Sequence, residues 1–137
     1  MSFDVYVQVF DKGKPAGVPR GSVRDAFGTA VSESEPGRWG VFYDAQNSCD
    51  IYLSVDAGTG MLRGLSVNRP CGDLRLWDAL LSILKLGYVV LYFPGCKAPL
   101  VANFNVRQHL PHDLIEALGE PVVIGSGAEI LREIQAA

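Results

Sequence analysis

The stretch DLRLWDALLSILKL (residues 73–86) decides the fold of this chain. Hydrophobic side chains cover most of its helical circumference. The interruptions are Arg75, Asp78, Ser82 and Lys85. Because these positions are three or four residues apart, they fall on one narrow stripe of a helix. The stretch therefore predicts a largely buried helix, with Asp73 as its N-cap and Gly87 at its end.

The segments around this helix have the character of strands. In the first, Phe3, Val5, Val7 and Val9 alternate with Asp4, Tyr6, Gln8 and Phe10. Three further strands are predicted at residues 39–45, 49–55 and 61–67, and their short, turn-rich linkers favour an antiparallel meander. Residues 33–37 are predicted to form a loop. Residues 88–93 are apolar on both faces, which is typical of a central strand.

Shorter helices are predicted wherever a capping pattern occurs. The patterns are Ser22 with Asp25, Pro111 with Gly119, and Ser126 with Glu129. A brief strand is expected at residues 122–124. The resulting order, β-α-β-β-β-α-β-α-β-α, predicts a single α+β domain over residues 1–137. It combines an antiparallel meander sheet with a largely buried helix and shorter helices, all on one face.

Composition limits the functions that the chain can have. Of its 137 residues, 48% are hydrophobic and 20% are charged, as in one folded domain. The net charge is −3 and no basic stripe is visible, which disfavours nucleic acid as a partner. No stretch resembles a signal peptide, and no apolar run approaches the ~18 residues of a membrane span. We therefore expect a cytoplasmic protein without a membrane segment.

The cysteines are odd in number and lack CxxC spacing, so we expect no disulfide framework, metal site or other cofactor. They are Cys49, Cys71 and Cys96. Cys71 lies just ahead of the predicted helix, where free backbone amides stabilise a thiolate, and it is a candidate catalytic nucleophile. The histidines that could serve as its base, His109 and His112, are distant in sequence. The competing interpretation makes Cys71 a small hydrophobic residue at a tight junction.

Arg69 and Arg75 flank the same helix start. They are candidates for binding a carboxylate or phosphate where backbone amides already favour anions. The alternative pairs Arg75 with Asp78 on the exposed stripe and Arg69 with an acid at the sheet edge. The sequence alone is compatible with both interpretations, the anion-binding site and the ion pairs.

Another candidate site is a segment in which acidic and aromatic residues are interspersed. Its members are Glu33, Glu35, Trp39, Tyr43, Asp44, Asp50, Tyr52 and Asp56. If the hairpins stack, Asp50 and Tyr52 share a face. The result would be an acidic surface with aromatic anchors, of the kind that binds a basic protein. A plain solvated sheet face is the alternative.

In size, acidity and composition the chain resembles the small cytoplasmic immunity proteins that accompany bacterial toxins. The resemblance also rests on two phrases, YDAQNSC (residues 43–49) and RPCGD (residues 69–73). It implies an inhibitor that masks a basic nuclease with an acidic face, and it carries over no particular residue.

The sequence therefore predicts a protein-binding module, with an immunity-type inhibitor of a basic partner as its specific form. The rival from another class is a cysteine-dependent or anion-binding enzyme centred on residues 69–73. A homodimer that joins copies through the edge of the first strand is a third hypothesis.

Overall fold

The computed structural model describes residues 3–137 and has a mixed α+β architecture. The strands are β1 (Val5–Asp11), β2 (Lys14–Pro15), β3 (Val31–Glu35), β4 (Arg38–Asp44), β5 (Asn47–Val55), β6 (Leu62–Asn68), β7 (Val89–Tyr92), β8 (Leu100–Val101) and β9 (Val122–Val123). The helices are α1 (Arg20–Phe27), α2 (Leu74–Leu84), α3 (His112–Leu118) and α4 (Gly127–Gln135), with 3-10 turns at Gly28–Ala30 and Phe104–His109. None of the helices within residues 3–137 has the length and apolar character needed to cross a membrane.

The strands form one sheet in the order β3-β4-β5-β6-β1-β7-β8-β9, and β2 pairs with the end of β1. Neighbouring strands are antiparallel except β8 and β9, which are parallel. The predicted meander is confirmed as β4-β5-β6. β1 lies inside the sheet, between β6 and β7. The hypothesis of a homodimer through the edge of the first strand is therefore wrong, because both edges of that strand are already paired.

The predicted largely buried helix is confirmed as α2, which packs on one face of the sheet between α1 and α4. Its predicted polar stripe is exposed. Asp73 caps the helix, since its carboxylate accepts a hydrogen bond of 2.9 Å from the Arg75 amide. The predicted end at Gly87 is wrong. The regular helix stops at Leu84, and Lys85 takes the C-cap position.

A second, smaller core lies on the opposite face of the sheet. It consists of Phe10, Val90, Val101, Val106 and Leu110. The 3-10 turn that precedes α3, together with α3 itself, covers these side chains. The prediction of helices on one face is therefore incomplete, because a strand that is apolar on both faces, such as β7, needs cover on both.

Several local predictions are corrected or confirmed. The loop predicted at residues 33–37 is wrong for residues 33–35, because β3 runs through Glu35 and pairs with β4, and it is correct for the turn at residues 36 and 37. α1 begins at Arg20 without a side-chain cap, so the predicted cap at Ser22 is wrong. The cap at Ser126 is confirmed, because its hydroxyl accepts a hydrogen bond of 3.2 Å from the Glu129 amide.

Candidate protein-binding surface

The second core covers only one end of the sheet face on which it lies. Farther along that face, side chains of β4, β5, β6 and the first half of β1 point outward and are exposed or half-buried. We call this surface, together with Tyr92 on β7, the open face. Its side chains are those of Arg38, Phe42, Asp50, Tyr52, Ser54, Ser66, Tyr6, Gln8 and Tyr92.

One row of side chains crosses the open face from strand to strand. In the order of the strands it consists of Arg38, Tyr52, Ser66, Tyr6 and Tyr92. The Arg38 guanidinium lies 5.5 Å from the Tyr52 ring centroid, a cation–π distance. The rings of Tyr6 and Tyr92 stack with centroids 5.6 Å apart. The row is thus preorganised at both ends, with the small Ser66 at its centre.

A groove of about 440 Å³ begins at the centre of this row and runs along β6 and β1 past Gly64. Small residues form the floor of the groove. Ser66 has a short side chain, and Gly64, its neighbour on the same face, has none. A side chain at Gly64 would clash with the Val7 carbonyl of β1, so the close approach of the two strands requires glycine there. Tyr52 and Tyr6 flank the groove. They lie two strand spacings apart, which corresponds to about 10 Å.

The acidic segment predicted from the sequence is largely neutralised by arginines. Each of its five carboxylates forms an ion pair on the surface. The pairs are Glu33 with Arg20, Glu35 and Asp50 with Arg38, Asp44 with Arg75, and Asp56 with Arg63. Four arginines thus compensate five acids, and the segment keeps little free negative charge.

Local hydrogen bonds hold two of these carboxylates in their charged form. The pKa of Asp44 is lowered, chiefly by the hydrogen bond that the Asn47 side chain donates to it. The pKa of Asp56 is lowered, chiefly by the Thr59 hydroxyl, which donates at 2.8 Å. Both are turn residues, so their hydrogen bonds stabilise the hairpins as well as the negative charge.

The aromatic residues of the predicted site separate into surface and core. Tyr52 is 43% exposed and shares the open face with Asp50, as predicted from the alternation. Trp39 is fully buried in the main core and packs edge-on against Phe27, so its assignment to a contact surface is wrong. Tyr43 is half-buried on the helix side of the sheet, and its hydroxyl has no hydrogen-bond partner among the described residues. Burial raises the pKa of Tyr43 to about 12.

Of the two arginines proposed for an anion site at residues 69–73, only Arg75 is held by carboxylates. The Arg75 guanidinium is held by Asp73 at 2.7 Å and by Asp44 at 3.3 Å, and it lies over the Tyr43 ring. This arrangement replaces the predicted Arg75–Asp78 pair. Arg69 is exposed, and no ion pair of it is found among residues 3–137.

The histidines lie away from Cys71. His109 accepts a hydrogen bond from the Lys12 amide and stacks on Tyr88 at 3.5 Å, beside the β1–β2 turn. His112 is the exposed first residue of α3. The partners of His109 lie outside the helix start, and they are Lys12, Asp11 and Tyr88. The structure therefore does not bring this histidine to the Cys71 thiol.

Sequence reasoning missed most of the open face. The signal was present for Tyr6, which alternates with the core valines of β1 and so had to point away from them. Phe42 and Tyr92 carried no such signal, because apolar residues occupy both faces of their strands. Phe42 is 61% exposed, the largest exposed fraction among the open-face aromatic residues.

Among residues 3–137 no group of three or more potential ligands, from His, Cys, Asp and Glu, could hold a metal ion. Comparisons with family models, curated proteins and solved structures find no match to this chain, so no family can be assigned to it on that basis.

Proposed function

We propose that this protein is a protein-binding module whose contact surface is the open face of its sheet. The observation that carries the proposal is the row of tyrosines and arginine, in which Tyr52 and Tyr6 are exposed and only Tyr92 packs against the second core. Tyrosine and arginine are the residue types most enriched at the energetic centres of protein interfaces. A row of them that is already ordered loses little side-chain entropy when a partner binds.

The groove at Ser66 defines how a partner would engage the row. Its walls are the rings of Tyr52 and Tyr6, and their separation of about 10 Å leaves room for one planar or aliphatic side chain between them. Phe42, at the β4 side, extends the apolar contact area. The proposed interface therefore has a central pocket for one anchor residue of the partner, surrounded by aromatic contacts.

An immunity-type inhibitor that masks a basic protein is the more specific form of this proposal. It is supported by the net charge of −3 and by the grouping of five acids on neighbouring hairpins. The arginine pairs reduce the free charge of those hairpins. We therefore expect the aromatic row to supply most of the affinity and the acids to act mainly on association rate.

The proposal can be tested with three forms of the protein. A tagged wild-type chain recovers its partner from source cells, and the Kd of the purified pair is measured by calorimetry. Tyr52→Ala should weaken binding roughly tenfold or more, because it removes one wall of the groove. The matched control is Leu74→Ala, since Leu74 is similarly exposed but lies on α2, in the helix layer. Equal affinity of the Tyr52→Ala variant and the wild type would contradict the proposal.

Charge reversal tests the specific form separately. Exchange of Asp44, Asp50 and Asp56 for lysine should slow association with a basic partner and abolish its salt dependence. If this triple variant binds as the wild type does while Tyr52→Ala does not, the open face is retained as the contact surface. The immunity-type assignment to a basic partner is then withdrawn.

A further inference from the structure

Two of the cysteines meet at the junction between β6 and α2. Cys49 lies on β5 on the helix side of the sheet, next to Asp50, which pairs with Asn68 at the end of β6. Arg69 then adopts a left-handed backbone with φ of 50°, which turns the chain sharply. The register of the β5–β6 pair, continued by one residue, sets Cys49 opposite Arg69, two residues before Cys71, and Cys71 packs against the core cluster that contains Cys49. The Cys71 backbone and side chain are accordingly among the groups that act on the Cys49 thiol.

The junction holds Cys71 firmly. Its carbonyl accepts a hydrogen bond of 3.2 Å from the indole of Trp77, which is itself fully buried in the core. Both thiols are free. Cys49 is buried, and burial raises its pKa to about 12, whereas Cys71 is half-exposed and precedes the first turn of α2. The pair therefore combines one accessible sulfur with one enclosed sulfur at short range.

We propose that Cys49 and Cys71 are an oxidative modification site at which a hydroperoxide forms an intramolecular disulfide. The Cys71 thiolate attacks the peroxide, its sulfur is oxidised to a sulfenic acid, and the O–O bond breaks to release hydroxide or alkoxide. The Cys49 sulfur then attacks the Cys71 sulfur. A disulfide forms, and the hydroxide that leaves takes up the Cys49 proton as water. The peroxide is the two-electron oxidant, so the electrons and atoms of the two steps balance.

The order of the two steps follows from access. Cys71 is partly exposed, so its sulfur is the one that a peroxide meets first. Cys49 is buried, and it lies in the core cluster against which Cys71 packs, where it can capture the sulfenic acid. Cys96 lies in the turn after β7, where its amide bonds to Phe93, and β1 separates β7 from β6, which leads into Cys71.

Peptide mapping tests the proposal on the wild-type protein. Trypsin places the three cysteines in separate peptides, because it cleaves after Arg38, Arg63, Arg75, Lys85 and Lys97 and does not cleave between Arg69 and Pro70. After exposure of the folded protein to hydrogen peroxide, the Cys49 and Cys71 peptides should be found joined, with the loss of two hydrogen atoms. That link should exceed a Cys71–Cys96 link roughly tenfold. In urea the two links should be within about twofold, because the sequence separations are similar.

Other products would overturn the proposal. These are a sulfinic acid at Cys71 without a link, no reaction, a predominant link to Cys96, or the same ratio of links in folded and unfolded protein. Two variants test which cysteine captures the sulfenic acid of Cys71. Cys96→Ser should leave the link unchanged, whereas Cys49→Ser should convert Cys71 to oxygenated forms because no thiol is left to capture the sulfenic acid.

Discussion

At the scale of single residues, Asp73 links the start of α2 to the surface. Its carboxylate accepts hydrogen bonds from the Arg75 amide and guanidinium, and these lower its pKa to about 2. A pKa below the unfolded value means that the ionised form stabilises the folded state. This stabilisation is present above about pH 4 and is lost as the pH falls toward 2.

The Asp73 ion pair predicts a specific change in acid stability. Asp73→Asn keeps a capable N-cap but removes the charge, so its free energy of unfolding should fall less than that of the wild type between about pH 4 and pH 2. Arg75→Gln should lose part of the same pH dependence, because Arg75 donates the hydrogen bonds. Urea unfolding at several pH values measures both. A wild-type pH profile in Asp73→Asn would show that this account of the cap is wrong.

Some residue positions could be predicted from the sequence and others could not, for physical reasons. Capping is local, so Asp73 and Ser126 were correctly identified. Trp39 was placed on the surface because β4 has apolar residues on both faces, and alternation alone does not tell which face is buried. The pairing of Arg75 with Asp44 joins residues distant in sequence, so no local pattern reveals it.

At the scale of elements, the approach of α4 to α2 depends on Gly127. A Cβ atom at this position would lie 2.5 Å from the Asp78 amide nitrogen and 2.7 Å from the Trp77 carbonyl carbon, both backbone atoms of α2. Such contacts require the two helices to move apart. Gly21 in α1 offers a comparison, since a Cβ there meets nothing within 4 Å.

These two glycines should respond in opposite directions to the same substitution. Gly127→Ala should lower the free energy of unfolding by about 1–3 kcal/mol, because the helices must separate. Gly21→Ala should raise it by about 0.5–1 kcal/mol, because alanine restricts the unfolded chain and suits a helix. Urea titrations of both variants give the comparison. Stabilisation by Gly127→Ala would contradict the close packing of α2 and α4.

The long periodic elements and the brief strand β9 were predictable, whereas β3 and β8 were not. The apolar pattern of α2 and the alternation of β1 and β5 identified the helix layer and the middle of the sheet. Residues 33–35 of β3 were predicted as loop; they are polar, as on an exposed edge strand, and only the pairing with β4 defines the strand. The two-residue strand β8 is too short to show a period, although the equally short β9 was predicted. Their parallel pairing joins segments separated by α3.

At the scale of the whole molecule, the sheet is covered unequally. Three helices protect one face, whereas a 3-10 turn and α3 protect only one end of the other. The uncovered area coincides with the part of the row that runs from Arg38 to Tyr6, whereas Tyr92 borders the second core. The candidate surface thus follows from topology, because the meander places strands side by side that no crossover helix shields on their second face. The meander β4-β5-β6 could be predicted, but the position of β1 between β6 and β7 could not, and the row depends on it.

Site-specific photo-cross-linking in source cells tests the central claim most directly. A photoreactive amino acid is placed at Ser54, an exposed position on the open face, and in a control protein at Ser82, an exposed position on α2. We predict one discrete adduct with another protein from Ser54, and none from Ser82. Adducts from Ser82 alone, adducts only between copies of this chain, or no adduct from Ser54 would contradict the assignment of the open face as the partner-binding surface.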